Sequence, residues 1–147
     1  MFLKKGFAKS SNFINKKEVA KIKLIYNQIL DDSEGTAHLR SDLGGEGGIG
    51  EEKITQIMCP SNISKKLKKS ETYSKALYHA KYLLGEDMSL DFDMLINKRP
   101  YSDTITPIHQ DAAYWIKMPD KRAVSFWIAI DRATEDNGCM WFIPRRK

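Results

Sequence analysis

His109 and Asp111 stand two positions apart in the stretch His109-Gln110-Asp111. On an extended segment, residues i and i+2 project from the same face, so an imidazole and a carboxylate there would share one space. One borderline nitrogen donor and one hard anionic oxygen make two corners of a metal site. The pairing suits Fe(II) in a two-histidine, one-carboxylate facial triad, which leaves the remaining positions open. The same two residues also fit an ordinary polar loop, and the spacing alone leaves both readings standing.

Trp127 is the second feature. In Ala123-Val124-Ser125-Phe126-Trp127-Ile128-Ala129-Ile130-Asp131, Val124, Phe126, Ile128 and Ile130 make one filled face. Ala123, Ser125, Trp127 and Ala129 make the other, with small residues around a single indole. That arrangement suits the wall of a ligand cavity, where the indole N–H can donate. It equally suits a tryptophan packed against a helix or another sheet.

The elements that must position these residues follow from periodicity. Asn15 precedes Lys16-Lys17-Glu18 in the manner of a capping box. Val19, Ile22, Tyr26, Ile29 and Leu30 then recur at helical spacing, so the pattern predicts a helix over 16–30. A second helix is predicted over 70–84, capped by Ser70, striped by Tyr73, Ala76, Leu77, Ala80, Leu83 and Leu84, and stopped by Gly85. Residues 6–14 read as a short strand and turn. Residues 40–50 read as a glycine-rich loop that lacks the Gly-Lys-Ser/Thr ending of a P-loop. A short strand is expected over 53–58. After Gly85 the period changes to two, and Met88, Leu90, Phe92, Met94 and Ile96 alternate with Ser89, Asp91, Asp93, Leu95 and Asn97 as in a long strand. Further extended pieces are expected over 106–111, 122–131 and 139–143. Helices first and consecutive strands after argue for an α+β arrangement or a β core with N-terminal helices, not for alternating βαβ units.

Composition bounds the rest. The chain has 147 residues, 41% hydrophobic and 29% charged, which suits one soluble domain without disulfide staples. No apolar run approaches the roughly 18–20 residues of a membrane span. The N-terminus has no apolar stretch of signal-peptide length. Cys59 and Cys139 have no metal-type spacing and read as buried thiols in a reducing compartment, with a disulfide between them as the minor alternative, and the cytoplasm is the expected location. The net charge of +5 favours acidic partners. The densest basic run, Lys65-Lys66-Leu67-Lys68-Lys69, has no interleaved aromatics, so it reads as a solvated helix face or an anion patch, and no nucleic-acid partner is expected.

Taken together, the segments resemble the phytanoyl-CoA dioxygenase family of Fe(II)- and 2-oxoglutarate-dependent oxygenases. The resemblance is carried by Asp93-Met94-Leu95-Ile96-Asn97-Lys98 and by Pro107-Ile108-His109-Gln110-Asp111-Ala112-Ala113-Tyr114-Trp115. It continues through Ser125-Phe126-Trp127-Ile128-Ala129-Ile130-Asp131 and Glu135-Asp136-Asn137-Gly138-Cys139-Met140-Trp141-Phe142-Ile143-Pro144. It implies a mainly β fold with N-terminal helices, a double-stranded β-helix or jelly-roll barrel, as one domain over 1–147, helical to about residue 86. It implies His109 and Asp111 as iron ligands, Met94 and Trp127 as lining of the 2-oxoglutarate pocket, and Lys53 as a lysine that holds the cosubstrate. The activity implied is hydroxylation of an unactivated C–H bond of a small or acyl substrate, with 2-oxoglutarate converted to succinate and CO2. A carboxylate at Asp111 favours hydroxylation over halogenation, because it fills the place a halide would take.

One departure shapes the expectation. The Pro-Gly-Ser-His continuation usual in the family is replaced by Pro144-Arg145-Arg146-Lys147, and His109 is the last histidine in the sequence. The second iron histidine and the basic residue for the far carboxylate of 2-oxoglutarate have no match. The expectation is an incomplete barrel, C-terminally truncated, with open strand edges prone to self-association. The competing reading is a catalytically inactive relative that serves as a binding or interaction module.

Overall fold

The computed structural model describes residues 2–45, 47–114 and 119–144. Trp115 and residues 145–147, which belong to the sequence patterns above, lie outside the described residues.

Two long helices carry the N-terminal half. After a single turn, α1 (Phe2–Lys5), comes α2 (Lys16–Asp31). Asn15 caps α2 by accepting the Glu18 N–H at 2.8 Å. Glu18 does not close the reciprocal half of a capping box. Its buried carboxylate instead accepts both the N–H and the hydroxyl of Thr72 at 3.2 Å, which ties α2 to the start of the last helix. Ile22, Ile25 and Ile29 of α2 are buried at helical spacing. Three further helices follow: α3 (Pro60–Ile63), α4 (Lys65–Lys68) and α5 (Glu71–Leu84). Ser70 accepts the Tyr73 N–H at the start of α5. Gly85 ends it at φ +127°, a backbone conformation that side chains with a Cβ rarely adopt.

The sheet has three antiparallel strands in the order β1 (Arg40–Asp42), β2 (Ile54–Met58), β3 (Met94–Lys98). Its register pairs Arg40 with Ile57 and Asp42 with Thr55 on one side, and Ile57 with Leu95 and Met58 with Met94 on the other. Cross-strand partners share a face. Ile57 and Leu95 therefore point together into the core, where they join Ile22, Ile25 and Ile29 of α2 and Leu67 of α4. The opposite face carries Met58, Met94 and Ile96. The even-numbered apolar residues of the expected long strand are thus its more open side: Leu95 is 5% exposed and Met94 41%.

The observed architecture is α+β with one small open sheet. The helices fall where periodicity placed them. The strand expected over 88–97 pairs only over 94–98. Residues 106–111, 122–131 and 139–143 form no strand among the described residues, and 6–14 forms none either. Strands are held by ladder partners rather than by local preference. These segments are fastened by side chains instead. Phe126 stacks on Phe13 with centroids 6.1 Å apart, and Phe142 stacks on Phe7 at 4.9 Å. Ile130 packs against the α2 core cluster, and Lys23 pairs with Asp131.

Candidate metal centre

The path to the site begins at the end of β3. Arg99, just beyond it, donates its N–H to the Lys53 carbonyl at 3.0 Å. The chain then turns through Tyr101 and Asp103, both at positive φ, and leads to Pro107. The imidazole of His109 lies with Nδ1 2.8 Å from the Pro107 carbonyl oxygen. A carbonyl can only accept, so Nδ1 carries the proton and Nε2 is the nitrogen left to face outward. Nε2 lies 3.4 Å from Oδ1 of Asp111. The second carboxylate oxygen, Oδ2, accepts a hydrogen bond from the Ser125 hydroxyl at 3.3 Å.

Each donor is thus held from behind, the imidazole through Nδ1 and the carboxylate through Oδ2, and His109 Nε2 and Asp111 Oδ1 stand side by side. Fixing the far nitrogen of an imidazole by a carbonyl, and the far oxygen of a carboxylate by a hydroxyl, is how metal ligands are oriented from their second coordination layer. Two donors bound to one divalent ion at about 2.0–2.2 Å and adjacent angles lie about 3 Å apart, close to the separation seen here. The side chains are 41% and 54% exposed, so a ligand can reach them. Among the described residues no third His, Cys, Asp or Glu completes a three-donor set.

Ser125 is held in place by the segment that carries it. Arg122 donates to the Leu84 carbonyl at 2.9 Å, to both Asp87 oxygens and to Asp120, clasping the segment to the end of α5. These guanidinium bonds hold the carboxyls of Asp87 and Asp120 below their ordinary values. Beyond Arg122, Val124, Ile128 and Ile130 are half-buried, while Ala123, Ser125, Trp127 and Ala129 are exposed; Phe126, on the Val124 side, breaks the alternation at 36% exposed. The small-residue face with its indole is therefore the open one, and Ser125 on that face reaches Asp111. Sequence reasoning gave Ser125 no role. The signal was available in its position two residues before Trp127.

The other candidate residues lie elsewhere in the fold. Met94 stands on the open face of the sheet, where its Sδ accepts from the Gln56 amide at 3.3 Å. Lys53 is exposed immediately before β2. Its backbone N–H donates to Asp42 at 3.1 Å. Asp42 is a positioning residue that the sequence did not reveal. Its carboxylate accepts the N–H groups of Gly44, Gly47, Lys53 and Ile54, and so folds the glycine-rich loop back onto β2. The Ile54 N–H leads in lowering its pKa to about 2, with Gly44, Lys53 and Gly47 adding to it against a smaller opposing effect of burial. Beneath the loop, Arg40 and Glu52 form an ion pair at 2.7 Å with side chains only 4% and 3% exposed. Burial pushes the Glu52 carboxyl up, but the Gly50 N–H, its own backbone N–H and Arg40 outweigh it, leaving a net lowering.

An imidazole and a carboxylate side by side on an α+β scaffold are donors of the kinds a borderline divalent metal ion takes. The sequence pattern of the phytanoyl-CoA dioxygenase (PhyH) family matches residues 2–145, and the chain belongs to that family. The phytanoyl-CoA dioxygenase domain-containing protein 1 of Danio rerio is 42% identical over 52 residues, 35% of this chain and 18% of that protein. Its Bos taurus counterpart is 41% identical over 51 residues, again 35% and 18%. The peroxisomal phytanoyl-CoA dioxygenase of Homo sapiens is 32% identical over 76 residues, 50% of this chain and 22% of that protein. The chain spans about a fifth of the length of these relatives in the matched stretches. No solved structure matches it. No helix among the described residues is long and apolar enough to cross a membrane.

Proposed function

We propose that His109 and Asp111 are metal ligands of an Fe(II)- and 2-oxoglutarate-dependent dioxygenase that hydroxylates an unactivated C–H bond of a small or acyl substrate. The observation that carries this reading is the 3.4 Å approach of His109 Nε2 to Asp111 Oδ1, with the far atom of each ring or carboxylate tied to Pro107 or Ser125. Family membership supplies the chemistry. A ferrous ion held by His109 and Asp111 would support the reaction of dioxygen with 2-oxoglutarate, one oxygen atom entering the succinate formed with CO2 and the other the C–H bond of the substrate.

The chain's own residues divide the remaining work. Pro107 fixes the imidazole tautomer, and Ser125 turns Asp111 so that one oxygen faces the ion. Trp127, on the open face shared with Ser125, and Met94, on the open face of the sheet, give apolar surface for the cosubstrate. The Lys53 ammonium pairs with a carboxylate of 2-oxoglutarate. In this reading the three-stranded sheet is part of the wall of a double-stranded β-helix, with Met58, Met94 and Ile96 facing its interior.

The test is an anaerobic titration with Fe(II) and 2-oxoglutarate, read by the weak visible charge-transfer band that this pair gives when both bind one ion. Wild type should show the band and, on admitting air, form succinate. H109A and D111A should lose the band while keeping the far-ultraviolet circular dichroism of the folded chain. A band that survives in both variants moves the metal away from this pair. Absence of both band and succinate in wild type removes the activity from this chain.

A further inference from the structure

On the helical side of the molecule, α2 and α4 enclose an open depression of about 370 Å3, lined by Lys21, Lys65, Lys66 and Lys69. We propose that this depression is a binding site for clustered phosphate groups, such as the di- or triphosphate moiety of a small molecule. The inference is independent of the oxygenase reading.

The lysines are brought together by the core beneath them. Leu67 is buried in the cluster that holds Ile22 and Ile25 of α2, so α4 is pinned by its one apolar residue. Ser64 caps the turn by accepting the Leu67 N–H at 3.2 Å. Lys65, Lys66 and Lys69 surround that anchor, and Lys21 stands across from them on α2. Among the described residues, Lys65, Lys66 and Lys69 pair with no carboxylate. Lys21 reaches only Glu18, at 3.8 Å, and Oε1 of that carboxylate is occupied by Thr72.

Such an arrangement carries a repulsive cost. Lys65 opens α4 and Lys69 follows its last residue, one turn further on, a separation at which like charges repel. Several ammonium groups around one concavity also concentrate positive potential there. A compact polyanion relieves both. Lysine suits phosphate as a point charge with rotatable donors. The size of the depression lies at the small end of ligand sites, which fits a few phosphates. No aromatic side chain lines it, so it offers no stacking surface for nucleic-acid bases.

Inorganic tripolyphosphate is the probe, titrated calorimetrically against the full chain. Binding is expected with a stoichiometry of one and a strong weakening with added salt. The variant K65A/K66A/K69A should lose about tenfold or more in affinity, as removal of three charge contacts implies. The variant K5A/K9A/K17A removes the same charge elsewhere and should bind like wild type. Vesicles of phosphatidylcholine with phosphatidylserine should not compete with tripolyphosphate. Equal losses in the two variants would reduce the effect to net charge and overturn the site. Vesicle binding without tripolyphosphate binding would make the patch a membrane contact and overturn it as well. All three side chains are exposed, and cooperative melting at or above the wild-type temperature for K65A/K66A/K69A shows that the comparison is between folded proteins.

Discussion

At the scale of the residue, the structure separates groups that present chemistry from groups that hold others in place. His109 and Asp111 are half-exposed, with Nε2 of one 3.4 Å from Oδ1 of the other. Arg40 and Glu52 are their opposite: buried, mutually paired and saturated. Arg40 also donates to the Leu30 carbonyl at 3.0 Å and to the Thr36 hydroxyl at 2.9 Å, so one guanidinium joins the end of α2 to β1 and the loop before β2. Removing one partner of such a pair leaves the other buried and uncompensated, at a cost of about 3–5 kcal/mol. E52A and R40A should therefore each lower stability by about that amount in urea denaturation. The double replacement R40M/E52L, which removes both charges and keeps the volume, should lose much less than the sum. Strictly additive losses would show that the two side chains act separately.

At the scale of the element, the helices were legible in the sequence and most of the strands were not. The stripe containing Ile22 and Ile29, with Asn15 before it, specifies α2 because a helix satisfies its own backbone and needs only one buried face. The same holds for α5 between Ser70 and Gly85. A strand depends on partners far along the chain. Residues 122–131 show the alternation of a strand and keep it in part as alternating exposure, yet Arg122, Phe126 and Asp131 fasten them to helices and the N-terminal segment. The nearness of His109 and Asp111 was legible from their spacing, although the strand expected to carry them does not form and Asp111 instead opens a 3-10 turn over Asp111–Tyr114. The Asp42 cradle was not, since four N–H donors within the loop and at the start of β2 converge on it through a loop closure that no local pattern encodes. That cradle makes an acid-sensitive hinge between β1 and β2. Asp42 has a folded pKa of about 2 against 3.8 ordinarily, so it binds its proton less readily when folded. Its contribution to stability is present above the unfolded value and is lost as pH falls from about 4 toward about 2. D42N should melt lower than wild type near neutral pH and fall less steeply across that window, as followed by thermal denaturation at a series of pH values. Glu52, Asp87 and Asp120 are also depressed and should preserve part of the acid slope. Parallel curves for wild type and D42N would detach the acid response from this loop.

At the scale of the whole molecule, backbone pairing is distributed unevenly, and the proposed His109–Asp111 site lies where there is least of it. β2 is flanked on both sides by ladder partners and backed by Ile57, which is fully buried. Residues 102–110 and 119–134 have no ladder, and side-chain contacts hold them. Local opening is cheapest where few backbone hydrogen bonds and little buried apolar surface must be broken. Amide hydrogen exchange should be slowest over 54–58 and 94–98, and fast over 104–110 and 123–127. A ligand that binds only the closed arrangement stabilises it in proportion to its occupancy. Anaerobic Fe(II) with 2-oxoglutarate should therefore slow exchange around His109 and, through the hydrogen bond from Ser125 to Asp111, around Ser125, while leaving β2 unchanged. S125A should weaken this response without abolishing it, since it frees Asp111 to rotate but leaves both ligands in place. Slowed exchange at β2 alone, with no change at residues 107–111, would place the bound ion elsewhere and separate the family fold from the site proposed here.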